Sequence, residues 1–298
     1  MHPIDLKKER LSTIINFVKS IFNGFSQIML QENPWTGFLF FVGIGWGSIT
    51  MAFSALLAVV VATITAVIIK CSKEAVFSGL FGFNAALIGV ALFVFFQPTF
   101  YIWMLVVVLS VLSVSLQQFF MARKISVFTL PFVLLVWLVY YFAYFFMPDL
   151  LLTSTDSSLT FHFLDVPFKG YAQVIFQDIS WVGFIFFIGV LLQSRLSALW
   201  GIIGAIIGAV LHLLLHSTAE EMYTGLLGYN SVLCALALVG NSYKDRLWIV
   251  PSVVVAVFIT IAMKLFGIIV LTFPFVASVV FVLNLKIILD NKKPHSKN

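Results

Sequence analysis

Two threonines each lie two residues ahead of a proline within otherwise apolar sequence. Thr129 precedes Pro131 and Thr272 precedes Pro274, both in the pattern Thr-x-Pro-Phe. Because proline has no backbone N–H, a carbonyl group one turn earlier loses its usual partner. Threonine hydroxyls and free carbonyls both accept hydrogen bonds, so each site predicts a cluster of oxygen atoms able to bind a neutral polar solute. The alternative is that each hydroxyl only caps backbone that its proline leaves unpaired.

Flat apolar side chains occur in a second pair of motifs. Phe83 and Leu87 are four residues apart, as are Tyr229 and Leu233. Residues at this spacing project from the same face of a helix. Each pair could therefore wall a narrow path, with the hydroxyl of Tyr229 exposed to it. For an isolated aromatic–leucine pair, ordinary core packing is the competing interpretation.

These motifs belong to a chain that contains the same half twice. The segment 79–87, GLFGFNAAL, returns 146 residues later as GLLGYNSVL at 225–233. The segments 35–43 and 181–189 match at the same offset, and 128–132 matches 271–275 at an offset of 143. In a membrane protein built from two such halves, the substrate path lies at their interface, near the bilayer midplane.

The composition excludes a water-soluble globule. Of the 298 residues, 61% are hydrophobic and 10% are charged, whereas roughly a quarter of a soluble protein is charged. The two cysteines predict neither a disulfide framework nor a metal cluster. The net charge of +5 is spread over short connections, which favours membrane orientation over nucleic-acid binding.

Apolar runs long enough to cross a bilayer, which takes about 20 residues, are separated by charged or turn-rich breaks. With both termini cytoplasmic, all of the 17 lysines and arginines except Lys169 and Lys264 fall inside, as the positive-inside rule requires. The ten predicted spans are 35–50, 52–70, 76–97, 100–119, 126–147, 180–194, 197–216, 221–241, 247–263 and 267–287.

Five spans per half is an odd number, so the second half must insert upside down. The predicted fold class is an all-α polytopic membrane protein with two inverted five-helix repeats, at 1–147 and 167–298, joined by an external linker at 148–166. Each repeat is expected to begin with a half-length re-entrant helix, at about 13–31 and 166–178. A pair of interfacial amphipathic helices is the alternative for these two segments.

The motifs together resemble the urea transporter family over about residues 27–275. The resemblance rests on Asn-Pro-Trp-Thr-Gly at 33–37, on the two Gly-Leu-x-Gly-(Phe/Tyr)-Asn segments and on the two Thr-x-Pro-Phe segments. It implies a homotrimer in which each protomer holds its own pore for passive movement of urea. We accordingly expect a bacterial-type urea channel in the cytoplasmic (inner) membrane, with urea and lipid as its partners.

The resemblance also implies roles for individual residues. Gln27 and Gln173 correspond to acceptors at the two entrances, and Phe176 corresponds to an aromatic side chain that stacks on the incoming solute. The matching position in the first half is Leu30, which departs from the family pattern. Phe83, Leu87, Tyr229 and Leu233 correspond to the narrow slot, and Thr129 and Thr272 to the middle of the pore. An acidic residue that a bacterial relative adds at the outer vestibule has no clear match here, because Asp165 lies further upstream than expected.

Two asparagines follow the slot aromatics inside apolar spans. Leaving the polar groups of a buried asparagine unpaired costs about 1–3 kcal/mol, so Asn84 and Asn230 are interpreted as bridges between helices more readily than as substrate contacts.

All twelve acidic residues fall at span ends or in loops, and no glycine-rich phosphate loop occurs. We therefore expect passive transport, with no enzyme activity, cofactor, nucleotide or nucleic acid.

Two alternatives stay open at this point. His212, His216 and Glu220 share one face of a predicted helix, which is a pattern of metal ligands in membrane metalloenzymes. The group has no counterpart in the other half and lacks a fourth ligand, so histidines at a helix end explain it better. The second alternative is a channel for another small neutral solute, such as a short amide, ammonia or water.

Overall fold

The computed structural model describes residues 3–126, 128–152, 163–215, 224–240 and 242–291. The architecture is all-helical, and within those residues the strand-like pairing is limited to one isolated bridge between Phe96 and Leu151. The helices in chain order are α1 Pro3–Ser26, α2 Pro34–Gly47, α3 Ile49–Ile68, α4 Lys73–Phe77, α5 Phe83–Phe95, α6 Phe100–Ala122, α7 Leu130–Phe146, α8 Val166–Gln173, α9 Ser180–Gln193, α10 Arg195–Leu214, α11 Tyr229–Leu238, α12 Tyr243–Arg246, α13 Ile249–Leu265 and α14 Phe273–Asn291.

Local sequence explains where several of these helices begin. Asn33 caps α2, because its Oδ1 accepts hydrogen bonds from the backbone N–H groups of Trp35 and Thr36 at 2.9 and 3.3 Å. Pro34 occupies the first helical position, where its missing N–H costs nothing. Ser48 and Ser194 cap α3 and α10 in the same way, accepting from Met51 N and Ser197 N. Each cap satisfies backbone donors that apolar surroundings would otherwise leave unpaired.

The apolar helices are those of a membrane protein. Among the described residues, four helical stretches are long and apolar enough to cross a membrane, and they cover 49–68, 100–122, 195–214 and 243–265. Five shorter apolar helices, at 83–95, 130–146, 180–193, 229–238 and 273–289, accompany them.

Several helix ends differ from the sequence predictions. The helices within 76–97 and 221–241 begin only at Phe83 and Tyr229, because Gly79 and Gly225 precede them in left-handed turns with φ of 81° and 80°. The first predicted re-entrant segment, 13–31, overlaps the 24-residue helix Pro3–Ser26 and continues through a 3-10 turn at Gln27–Met29. Its counterpart α8 has eight residues.

Unusual backbone conformations recur at the offsets found in the sequence repeat. Leu30 and Phe176, 146 residues apart, have φ of 59° and 57°. Phe128 and Leu271, 143 residues apart, have φ of 46° and 44°. Residues other than glycine rarely adopt positive φ. Nearly equal φ angles at equivalent positions of the two halves are therefore a structural counterpart of the repeated motifs.

The two halves meet closely where α2 packs on α9. The rings of Phe40 and Phe186 lie edge to face with centroids 5.1 Å apart. Thr36 Oγ1 donates to the backbone oxygen of Gly189 at 2.7 Å. A Cβ atom on Gly43 would lie 2.5 Å from the Phe186 ring, and one on Gly189 would lie 2.7 Å from the Phe40 ring. Glycine at both positions therefore permits the contact.

We expect Gly37→Ala to destabilise the folded protein by about 1–3 kcal/mol or more. The added Cβ would lie 1.7 Å from the backbone oxygen of Phe22, so the packing of α1 on α2 must shift. Gly45→Ala is the control, because in the same helix its Cβ would make an ordinary 3.6 Å contact with Ala52. Thermal unfolding in detergent measures both variants, and equal midpoints would contradict the prediction.

Candidate functional site

The two candidate entrance glutamines make the same hydrogen bond in both halves. Gln27 Nε2 donates to the backbone oxygen of Ser78 at 3.0 Å, and Gln173 Nε2 donates to that of Thr224 at 2.9 Å. Neither amide oxygen accepts a hydrogen bond from the described residues. Each side chain is therefore fixed through its nitrogen and keeps its oxygen as an acceptor.

The slot candidates lie at the starts of two buried helices. Phe83 is the first residue of α5 and Tyr229 is the first residue of α11, so Leu87 and Leu233 follow one turn later in each. All four side chains are buried, with at most 8% of any of them exposed. They present rings and branched alkyl groups at matching positions in the two halves.

Asn84 replaces a backbone hydrogen bond at the broken start of α7. Its Nδ2 donates to the oxygen of Phe128 at 3.3 Å, and its Oδ1 accepts from the N–H of Phe132 at 3.1 Å. In a continuous helix those two backbone groups would pair with each other. Nδ2 also donates to Oε1 of Gln117 at 3.2 Å, so both N–H groups of the carboxamide are used.

Asn230 makes the equivalent insertion at the start of α14. Its Nδ2 donates to the oxygen of Leu271 at 3.2 Å, and its Oδ1 accepts from the N–H of Phe275 at 3.2 Å. Sequence analysis attributed the unpaired carbonyl groups to the missing backbone N–H groups of Pro131 and Pro274. The carbonyl groups of Thr129 and Thr272, however, still accept helical bonds from Val133 and Val276 at 3.1 and 3.2 Å. The carbonyls taken out of the helical pattern are those of Phe128 and Leu271, and the asparagines hold them.

The two candidate threonines are in contact with each other. Thr129 Oγ1 and Thr272 Oγ1 lie 2.6 Å apart, and both residues are buried. Sequence analysis treated them as two separate oxygen clusters. The contact brings both Thr-x-Pro-Phe segments to one point, so the oxygen atoms of the two halves form a single group.

A cavity of about 730 Å³ adjoins the second half of this arrangement. Gln173, Phe176, Tyr229 and Leu271 line it together. The Phe176 ring packs edge to face against Phe95 and Phe132, each at a centroid distance of 6.1 Å. Leu30 has the same backbone conformation as Phe176 but has no ring to offer.

Sequence reasoning missed two charged residues that line this cavity, Asp178 and Lys264. The acidic candidate considered from sequence, Asp165, lines a different cavity beside Lys169 and Trp181. Asp178 follows Phe176 by two positions, and that proximity to a motif residue was the available signal. The cavity therefore combines aromatic walls, an amide oxygen and two groups of opposite charge.

The possible metal site at the end of α10 gains no support. His212 is buried and its Nδ1 lies 2.8 Å from the backbone oxygen of Gly208, one turn earlier in its own helix. His216 and Glu220 lie outside the described residues. Within the part of the chain that the structure describes, no three histidine, cysteine or acidic residues are grouped to hold a metal ion.

Apolar helices that hold acceptor oxygens and aromatic side chains beside a cavity are typical of a membrane protein of the transport class. Residues 18–287 match the family model described as "UT: Urea transporter". The chain belongs to the urea transporter family, which is a family of transporters rather than enzymes, and the resemblance found in the motifs is confirmed.

Curated relatives agree with this assignment. Urea transporter 1 of Mus musculus is 32% identical over 256 residues, which cover 79% of this chain and 66% of that protein. Urea transporter 1 of Rattus norvegicus is 29% identical over 258 residues, with the same coverage of 79% and 66%. The chain thus spans just under two thirds of the length of these relatives.

We expect Asn230→Leu to lower the free energy of unfolding by about 1–3 kcal/mol. The substitution leaves the oxygen of Leu271 and the N–H of Phe275 without the carboxamide that holds them. Asn284→Leu is the matched control, since that asparagine is exposed and bonds only to Val280 O in its own helix. Thermal unfolding in detergent is the measurement, and a midpoint shift no larger than that of the control would refute the bridging role.

Proposed function

We propose that this chain is a passive, channel-like pathway that moves urea down its concentration gradient. The observation that carries the proposal is the contact between Thr129 and Thr272, in a chain whose acceptor oxygens and apolar side chains recur at matching positions in both halves. This set occurs in a chain of the urea transporter family whose relatives are named for urea.

The chemistry of urea fits these groups. Urea is planar and neutral, with four N–H donors along its edges and one strong carbonyl acceptor. The amide oxygens of Gln27 and Gln173 would receive it at the two entrances, and the threonine hydroxyls would receive it between them. Hydrogen bonds to these fixed acceptors replace those that urea gives up on leaving water.

The aromatic and leucine side chains would confine the faces of the urea plane. Phe83 and Leu87 belong to one half of the slot, and Tyr229 and Leu233 belong to the other. A dehydrated ion would find no compensating charge beside them, so an uncharged slot of this kind rejects ions while accepting a flat neutral molecule.

The proposed architecture follows the repeat. It has ten spans in two inverted halves, 1–147 and 167–298, with an external linker at 148–166 and a pore within each protomer of a homotrimer. Both termini face the cytoplasm in the inner membrane, an orientation that rests on the distribution of lysine and arginine. Matching positive φ values at Leu30 and Phe176, and at Phe128 and Leu271, support the duplication.

The placement of acidic residues supports passive transport. Among the nine apolar helices of the described residues, Asp245 is the only acidic side chain, and it forms an ion pair with Lys286 near the start of its helix. Transporters that couple to protons or ions usually keep a carboxylate at membrane depth. The proposed slot contains no carboxylate, and Asp178, which lines the adjoining cavity, lies in the connection between α8 and α9 rather than in one of these helices.

The primary test is stopped-flow urea efflux from proteoliposomes, with water, glycerol and proton fluxes recorded on the same preparation. We expect urea efflux well above that of empty liposomes and no accompanying proton movement. Folded protein without urea flux would refute the proposal, and proton-coupled flux would refute the passive mechanism.

We expect Leu87→Arg to reduce urea flux at least tenfold, because a long cationic side chain would fill the slot that Leu87 borders. Leu87→Met is the matched control, since it conserves volume and adds no charge, and such swaps cost less than about 1.5 kcal/mol. Chromatography in detergent checks that both variants assemble like the parent. Normal flux in a properly assembled Leu87→Arg variant would contradict the slot assignment.

A further inference from the structure

The two halves of the site differ at one hydroxyl group. Tyr229 in the second half occupies the position of Phe83 in the first half, 146 residues earlier. Its Oη donates to the backbone oxygen of Leu271 at 2.5 Å. Nδ2 of Asn230 donates to the same oxygen at 3.2 Å. A carbonyl oxygen has two lone pairs, so the oxygen of Leu271 is fully used.

The corresponding carbonyl in the first half, that of Phe128, accepts fewer hydrogen bonds. The oxygen of Phe128 accepts one hydrogen bond, from Nδ2 of Asn84 at 3.3 Å, among the residues that the structure describes. Its second lone pair has no partner among these residues. The first half therefore offers an open peptide carbonyl where the second half has a closed one.

The hydroxyl of Tyr229 stands in for that closed carbonyl. Tyr229 and Leu271 line the same cavity as Gln173 and Phe176, on the path that urea would take. Because Oη gives its proton to Leu271, it can only accept further hydrogen bonds, such as one from a urea N–H. The short bond to a backbone atom also fixes where that oxygen lies.

We propose that Tyr229 determines specificity in this pathway by admitting the N–H edge of urea and disfavouring ureas with a substituted nitrogen. This inference rests on the proposed function. An unsubstituted nitrogen can donate to the fixed Oη, whereas an N-methyl group there places carbon against an oxygen that then lacks a partner. Sites built to hydrogen-bond a donor discriminate against analogues that lack it, because the protein group is left unpaired.

The experiment compares N-methylurea with urea in proteoliposomes that contain the full chain, either unaltered or as Tyr229→Phe. The ratio of the two permeabilities is the readout, because a purely structural loss would lower both permeabilities in proportion. We expect Tyr229→Phe to raise the N-methylurea to urea ratio about two- to tenfold, the equivalent of one hydrogen bond. An unchanged ratio would overturn the inference.

Phe83→Tyr is the reciprocal variant and keeps the test decisive if Tyr229→Phe fails to fold. Because Phe128 and Leu271 share their backbone conformation, a hydroxyl on residue 83 is expected to reach the open oxygen of Phe128. It should lower the N-methylurea to urea ratio at least twofold, and an unchanged or raised ratio would count against the inference. Absence of urea flux from the unaltered chain would instead overturn the proposed function itself.

Discussion

The site depends on keeping broken backbone hydrogen-bonded in apolar surroundings. Just before α7 and α14 the chain takes positive φ at Phe128 and Leu271, and prolines follow that cannot donate. Inside a bilayer, unpaired backbone groups cost several kcal/mol each, and no water is present to pair them. The carboxamides of Asn84 and Asn230 meet that need from neighbouring helices.

The pairing of broken backbone by asparagine carboxamides places hydrogen-bonding oxygens beside flat apolar side chains. Asn84 directly follows Phe83, and Asn230 directly follows Tyr229. The residue that supports the backbone break and the aromatic residue proposed to wall the path therefore share one helix start. The same geometry that stabilises the break holds a carbonyl oxygen in a defined place. In the proposed pathway, recognition of a planar neutral solute and stability of the fold would share the same few hydrogen bonds.

Duplication repeats the framework without making the two halves chemically identical. The glutamine and asparagine contacts recur almost atom for atom, while Leu30 differs from Phe176 and Phe83 differs from Tyr229. The recurring contacts involve backbone groups, which any substitution that breaks them would leave unpaired. Of the differing side chains, Phe176 and Tyr229 line the cavity, and the hydroxyl that distinguishes Tyr229 from Phe83 bonds to the backbone oxygen of Leu271.

The sequence alone determined the helical membrane class, the repeat, the family and the location of the apolar segments. These features follow from local hydropathy, from helical spacing and from motifs that can be read along the chain. Tertiary structure alone decided the contact between Thr129 and Thr272, 143 residues apart, and the use of the Leu271 oxygen by Tyr229 and Asn230. It also showed that the carbonyl groups taken out of the helical pattern are those of Phe128 and Leu271, which the asparagines bind. Which donor reaches which carbonyl depends on how distant helices pack, and no local pattern contains that distance.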